Sequence, residues 1–170
     1  MKRATYLMCC LAIGSAAMMF TPRAKAQATD DDKKFLTEAS KGNYDEIQLG
    51  KLAEQKATNP AVKAFGRRMV TDHTKLGAKM KPYADEWGIT QPSGLSEDGQ
   101  KEYDKLNSMS GADFDKEYIS DMVSDHSKDL DAFTKEVEDT KDAKFKVTVE
   151  QGKSVVAAHK NMAYDLKKKL

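Results

Sequence analysis

Apolar side chains recur every third or fourth position through most of this chain, and short polar or glycine-proline breaks divide that pattern into segments. Thr29-Asp30-Asp31-Asp32 supplies N-cap residues for a first helix, whose predicted inner face carries Phe35, Ala39, Asn43, Glu46, Ile47, Gly50, Ala53 and Ala57. Gly42-Asn43 is its weak point, where a kink is expected. Thr58-Asn59-Pro60 ends that helix and starts the next, with Asn59 as N-cap and Pro60 at the first helical position. The second stripe runs through Val62, Phe65, Gly66, Met69, Val70, His73, Leu76, Gly77, Met80, Tyr83, Ala84 and Trp87, and stops at Gly88, a C-terminal glycine.

The pattern then changes. Thr90-Gln91-Pro92-Ser93-Gly94 reads as loop, and Ser96 opens a short amphipathic helix with Tyr103, Leu106 and Met109. Ser110 with Asp113 resembles a capping box for a third long helix bearing Phe114, Tyr118, Met122, Val123, His126, Leu130, Phe133 and Val137. A polar turn, 139–142, precedes the fourth, with Phe145, Val149, Gly152, Val156, His159, Ala163 and Leu166. The strand-like residues of 144–148 make its start the least regular part. The expected fold is therefore all-α: a four-helix bundle of ferritin-like kind, with a long connection containing a short helix between helices 2 and 3.

The segment before Thr29 changes the picture of where this chain acts. Lys2 and Arg3, an uncharged apolar run from Tyr6 to Phe20, and Ala24-Lys25-Ala26 form a secretory signal peptide, which gives two regions: 1-26 as leader and 27-170 as helical domain. Cleavage before Gln27 predicts export to the periplasm, with no membrane insertion once the leader is gone. Cys9 and Cys10 both fall inside the leader, so neither disulfides nor thiolate metal sites are expected afterwards. The leader holds four of the 28 basic residues and none of the 27 acidic ones, which leaves about −3. A charge of that sign argues against a nucleic-acid partner, which requires a clustered basic excess.

The chemistry-bearing residues are few. The chain has three histidines, His73, His126 and His159, one in each of three helical segments and each among apolar residues at helical spacing. Glu46 and His73 are equidistant from the Asn59-Pro60 break, and His126 and His159 from Asp142-Ala143. Helices folded back at those points set each pair at one level, which predicts a single polar layer within the bundle. A methionine stands one turn from each histidine: Met69, Met122 and Met162. Asp72 and Asp125, each just before a histidine, point about 100° around the helix and read as solvated-face residues.

These residues in order, Phe35, Ala39, Asn43, Glu46-Ile47, Gly50, Leu52-Ala53, Asn59-Pro60, Val62-Lys63, Phe65, Met69, Asp72-His73-Thr74, then Ser110-Gly111, Phe114-Asp115, Tyr118 and His126, resemble the family called domain of unknown function 4142. The resemblance covers the whole chain after the leader. It implies export to the periplasm and a ferritin-like helical bundle, and implies no activity. The chain departs from the family before His159, where Ser154-Val155-Val156 stands in place of a Leu-Pro pair.

Two-iron bundles place Glu-x-x-His on two helices because paired irons need bridging carboxylates. Here Val70, Val123 and Val156 stand three residues before the histidines, which argues against ferroxidase or oxygenase chemistry. No phosphate-binding loop, nucleophile elbow or HExxH stretch occurs either. The leading expectation is thus an exported, non-enzymatic, stress-related envelope protein with a buried Glu/His layer and no required cofactor. The alternative is a periplasmic metal-binding protein using Glu46, His73, His126 and His159. It would take zinc or another divalent ion, or Cu(I) with Met69, Met122 and Met162 as auxiliaries. A weaker alternative is a scaffold presenting helix faces to an envelope partner.

Overall fold

Local capping chemistry sets the helix ends in the computed structural model, which describes residues 28–170; the leader and its cleavage site lie outside the described residues. Five helices and no strand are found among the described residues: α1 (Asp30–Lys56), α2 (Pro60–Trp87), α3 (Glu97–Ser108), α4 (Gly111–Asp139) and α5 (Ala143–Lys167). At the start of α1 the Thr29 hydroxyl accepts from the Asp32 amide at 3.0 Å, and Thr29 N–H donates to the Asp32 carboxylate at 2.7 Å. Asn59 accepts from the Ala61 amide at 2.8 Å ahead of Pro60, and Gly88 closes α2 in the left-handed region at φ 71°. Asp142 accepts from the amides of Lys144 and Phe145, so a strong N-cap carries the strand-like residues after it into helix. Ser110 does hold the N-cap position of α4, but its side chain makes no capping bond; the expected capping box is absent, and the chain enters through Gly111 at φ 61°. α1 is helical straight through Gly42-Asn43.

α1 pairs with α2 and α4 with α5 as hairpins, and α2·α5 and α1·α4 contacts close the set. Asp115, near the start of α4, accepts from Thr58 N, Thr58 Oγ1 and Asn59 N at 3.1, 2.6 and 2.8 Å, so α4 begins where α1 ends. At the far end Asp32 of α1 bonds Thr140 of the α4–α5 turn. The two hairpin turns therefore sit at opposite ends, α2 and α4 run parallel, and the connection from Gly88 to Ser110 travels the length of the helices. Its helix α3 lies on α1 and α4. Asp45 of α1 ties down the start of α3 by accepting from Ser96 N at 2.9 Å and Ser96 Oγ at 2.5 Å.

The interior divides in two along the helix axes. One cluster joins Leu49, Leu52, Phe65, Met69, Phe114, Tyr118, Ile119 and Met122; the other joins Leu36, Leu76, Met80, Phe133, Phe145, Val149 and Val156. Each fully buried apolar side chain of this kind contributes roughly 1.5–3 kcal/mol. α1 and α2 approach closely in the first cluster, where a Cβ on Gly50 would stand 2.9 Å from the Gly66 carbonyl. The buried face of α1 is wider than its predicted stripe, since Leu36, Leu49 and Leu52 are buried while Phe35 and Ile47 are half-buried; α1 faces α2, α3 and α4 together. Tyr83 and Trp87 pack their rings against Phe145 of α5, at 5.0 and 4.6 Å between ring centres. No helix among the described residues is long and apolar enough to cross a membrane.

Candidate metal centre

Between the two apolar clusters each of α2, α4 and α5 contributes one histidine. His73 follows Met69 of one cluster by a turn and precedes Leu76 of the other; His126 and His159 hold the same boundary on their helices. His126 and His159 are fully buried and His73 is 3% exposed. Ring centres are 5.7 Å apart for His73–His126, 5.2 Å for His73–His159 and 5.4 Å for His126–His159. One nitrogen from each ring lies within 4.8 Å of the other two.

The hydrogen bonds on the outer side of the rings decide their tautomers. His126 Nδ1 lies 3.0 Å from the Met122 carbonyl, which can only accept, so Nδ1 carries the proton. His73 Nδ1 donates to Asn43 Oδ1 at 3.1 Å, and His159 Nε2 donates to Asp72 Oδ2 at 3.1 Å. The remaining nitrogens, His73 Nε2, His126 Nε2 and His159 Nδ1, are buried and have no hydrogen-bond partner among the described residues. Three imidazoles thus each have one N–H anchored to an oxygen and one lone pair left over. An oxygen holding the far nitrogen of each ring in this way is what orients histidine ligands of a metal ion.

Electrostatics keeps those lone pairs free. Burial, then the neighbouring His126 and His159, push His73 well below the ordinary histidine value. Burial and His159 bring His126 down to about 4, and burial lowers His159 despite the opposing pull of Asp72. All three are neutral at pH 7. Asp72 is raised by burial, but its bonds to Arg68 and His159 outweigh this and hold it ionised, below the usual carboxylate range. Nitrogens bound to one ion at about 2.0–2.1 Å stand roughly 3.4 Å apart, so the rings need to close by only about an ångström to share an ion. Orphaned buried acceptors, neutral rings and a convergent geometry fit a metal.

Of the other residues singled out in the sequence, Glu46 is buried near the layer but is not one of the three converging residues. Its Oε1 is 3.8 Å from His126 Nδ1, on the anchored side of that ring and beyond hydrogen-bond distance. Burial, followed by Asp129, Glu102, Asp125 and Asp45, holds its carboxyl well above the usual range. Met69 and Met122 are fully buried in the first apolar cluster and Met162 packs partly buried against it. Because α5 runs against α2 and α4, a methionine three residues after His159 and methionines four before His73 and His126 all fall on the same side of the layer. Asp72 corrects the sequence reading: it does not face solvent but bonds His159, because α5 packs against that flank of α2. Asn43, seen in the sequence only as part of a stripe, takes the place beside His73 that spacing had given to Glu46.

Two cavities border the layer. One of about 110 Å³ lies between α1, α2, α4 and α5, lined by Phe35, Ala39, Leu76, Phe133 and Val156, with Asn43 and His73 in its wall. The second, about 180 Å³, lies between α1, α3 and α4 and is carboxylate-rich, with Asp45, Glu46, Glu102, Asp125 and Asp129 beside Lys128.

The model of the family described as Domain of unknown function (DUF4142) matches residues 17–166, and the chain belongs to that family. No curated protein matches it. Among solved structures, CopM in the Cu(I)-bound form is similar, at 20% sequence identity and a TM-score of 0.69, with 84% of this chain and 98% of that chain covered. At that identity the shared property is the fold.

Proposed function

We propose that this member of the DUF4142 family is an exported, non-enzymatic metal-binding protein of the periplasm, a ferritin-like four-helix bundle that holds one Cu(I) ion on His73 Nε2, His126 Nε2 and His159 Nδ1. The observation that carries this reading is the convergence of three buried, neutral imidazoles whose inner nitrogens have no partner among the described residues. Leaving a buried polar atom unpaired costs about 1–3 kcal/mol, and a purely structural network satisfies its own groups. Three such atoms, on rings that offer nitrogens within 4.8 Å of one another, are a site kept ready for a ligand.

The identity of the ion follows from charge and softness. The ligand set is neutral, and the nearest ionised carboxylate, Asp72, is shared with Arg68. Desolvation penalties rise steeply with ionic charge, so a monovalent ion is favoured over a divalent one in so dry and neutral a cage. Met69, Met122 and Met162 on one side of the layer give it soft, polarisable surroundings, which suit Cu(I). The copper-bound state of CopM supports the same choice. When bound, the ion would supply no reaction; the three rings that would hold it are buried. The scaffold reading lacks support, because among the described residues the large apolar side chains left exposed are Val147 and Tyr164, 17 positions apart on α5.

The test is a thermal melt followed by circular dichroism, with a copper chelator, with Cu(I) under reductant, and with Zn²⁺. A ligand at 100 times its Kd adds about 2.7 kcal/mol. Cu(I) should give that gain, Zn²⁺ less, and His73→Ala, His126→Ala and His159→Ala should each remove it. A melt indifferent to chelator, Cu(I) and Zn²⁺ would return the layer to a structural role, and a larger gain with Zn²⁺ would replace the ion.

A further inference from the structure

We propose that a cation reaches the three histidines through the acidic cleft between α1, α3 and α4, and that Gly42 keeps the passage open. This rests on the copper reading of the histidine layer. The acidic cleft and the apolar cavity share two lining residues, Gly42 and Asp129, so the partition between them is one glycine and one carboxylate. Beyond the partition the wall of the apolar cavity includes His73, one of the three inner ligands. The cleft is not a cluster of solvated acids: Glu46 is 5% exposed, lines the cleft, and has one oxygen with no partner among the described residues. A buried carboxyl oxygen left open beside Glu102, Asp125 and Asp129 is suited to a cation in transit. The ion meets hard oxygen donors first and softer nitrogen donors last.

Gly42 supplies the independent observation. Glycine inside a helix weakens it, and in this protein other helical glycines have a packing reason. A Cβ on Gly50 or Gly66 would meet the opposing backbone at 2.9 or 2.8 Å, one on Gly77 the Asn43 amide at 2.9 Å, and one on Gly152 the Phe133 ring at 2.3 Å. A Cβ on Gly42, midway along α1, would meet nothing within 4 Å. No neighbour requires glycine there. What a side chain at 42 would fill is the space between the cleft and the cavity.

A barrier on a route slows entry and exit alike and leaves the equilibrium untouched, which separates a passage from a ligand. Cu(I) offered from a weak chromophoric chelator under reductant, followed by stopped flow, reads the entry rate; transfer to a strong chelator reads the exit rate. Gly42→Leu should slow both at least tenfold at unchanged stoichiometry and Kd, and its melting temperature should not fall, since the new side chain projects into open space. Ala39→Phe, which fills the cavity from the same helix, is the second plug; Gly42→Ala should load nearly as fast as the parent. Asp125→Asn and Asp129→Asn should slow entry and flatten its decline with added salt, as expected when opposite charge steers the ion. Parent-like rates in both plugged variants overturn the passage while leaving the site intact. A parent protein that takes up no copper overturns the site and the passage with it.

Discussion

Replacing His126 with leucine separates a ligand from a structural residue, because the two readings predict opposite signs for the empty protein. His126 Nε2 is fully buried and unpartnered, a penalty of about 1–3 kcal/mol that leucine removes. The bond lost is the one from Nδ1 to the Met122 carbonyl, which sits within α4 and keeps the amide of residue 126 as its helical partner. Little is therefore orphaned by the change, unlike at His73, whose loss strands the Asn43 oxygen. Leucine is close to histidine in volume, so its packing cost should stay below about 1.5 kcal/mol. The expected net is a gain of about 0–2 kcal/mol, which for a domain of this size raises the melting temperature by at most several degrees. Urea denaturation of chelator-treated protein measures it, with His126→Met as a second shape. The His126→Leu variant should lose all stabilisation by Cu(I). A loss of more than about 2 kcal/mol in both empty variants would mean that His126 is part of the structural framework and that its unpaired nitrogen is satisfied in solution.

Removing the carboxylate that orients His159 should lower copper affinity without changing stoichiometry: Asp72→Ala is expected to cost 10–100-fold in competition against a chelator of known affinity, and an unchanged Kd would show that His159 needs no orientation. The empty protein should lose stability from pH 6.5 to 8, since Glu102, pushed up to about 8 first by burial and then by Asp125 and Asp121, keeps a proton that the unfolded chain has released. Below pH 6.5 the histidines act in the opposite sense, because the unfolded chain gains protons that buried His126, at about 4, refuses; greater stability at pH 8 than at 6.5 would contradict both the burial and the sign. Asp115→Ala removes three bonds to the α1–α2 turn and should cost about 2–3 kcal/mol in chemical denaturation, whereas a loss under 0.5 would mean that the turn holds itself. Gly50→Ala should destabilise by about 1–3 kcal/mol through its clash with the Gly66 carbonyl, and a neutral result would show that α1 and α2 separate easily.

Helix ends were the most legible feature of the sequence. Asn59-Pro60, Gly88 and Ser96 act through local chemistry, and each marks the same boundary in space. Equal spacing from the turns also brought His126 and His159 to one level, because a hairpin of regular helices converts residue count directly into height. That arithmetic fixes height but not rotation. Glu46 reaches the level of the layer, yet α1 turns it toward α3 and α4, and Asn43, a turn earlier, meets His73 instead. Asp72 departs from its expected place for a related reason: a residue 100° off a stripe faces solvent on a helix with one neighbour, whereas α2 has α1 on one flank and α5 on the other. The acidic cleft lay beyond reach, since it depends on where the connection between α2 and α4 sets α3, and nothing in periodicity specifies that.

The central claim is that one ion sits on three inner ring nitrogens, and X-ray absorption at the copper edge of protein loaded with one equivalent of Cu(I) tests it most directly. The account predicts three nitrogen scatterers at about 2.0 Å, imidazole outer-shell features, and loss of the signal in His73→Ala, His126→Ala and His159→Ala. A spectrum dominated by sulfur or by oxygen, or one unchanged in those three variants, would place the ion elsewhere and contradict the claim.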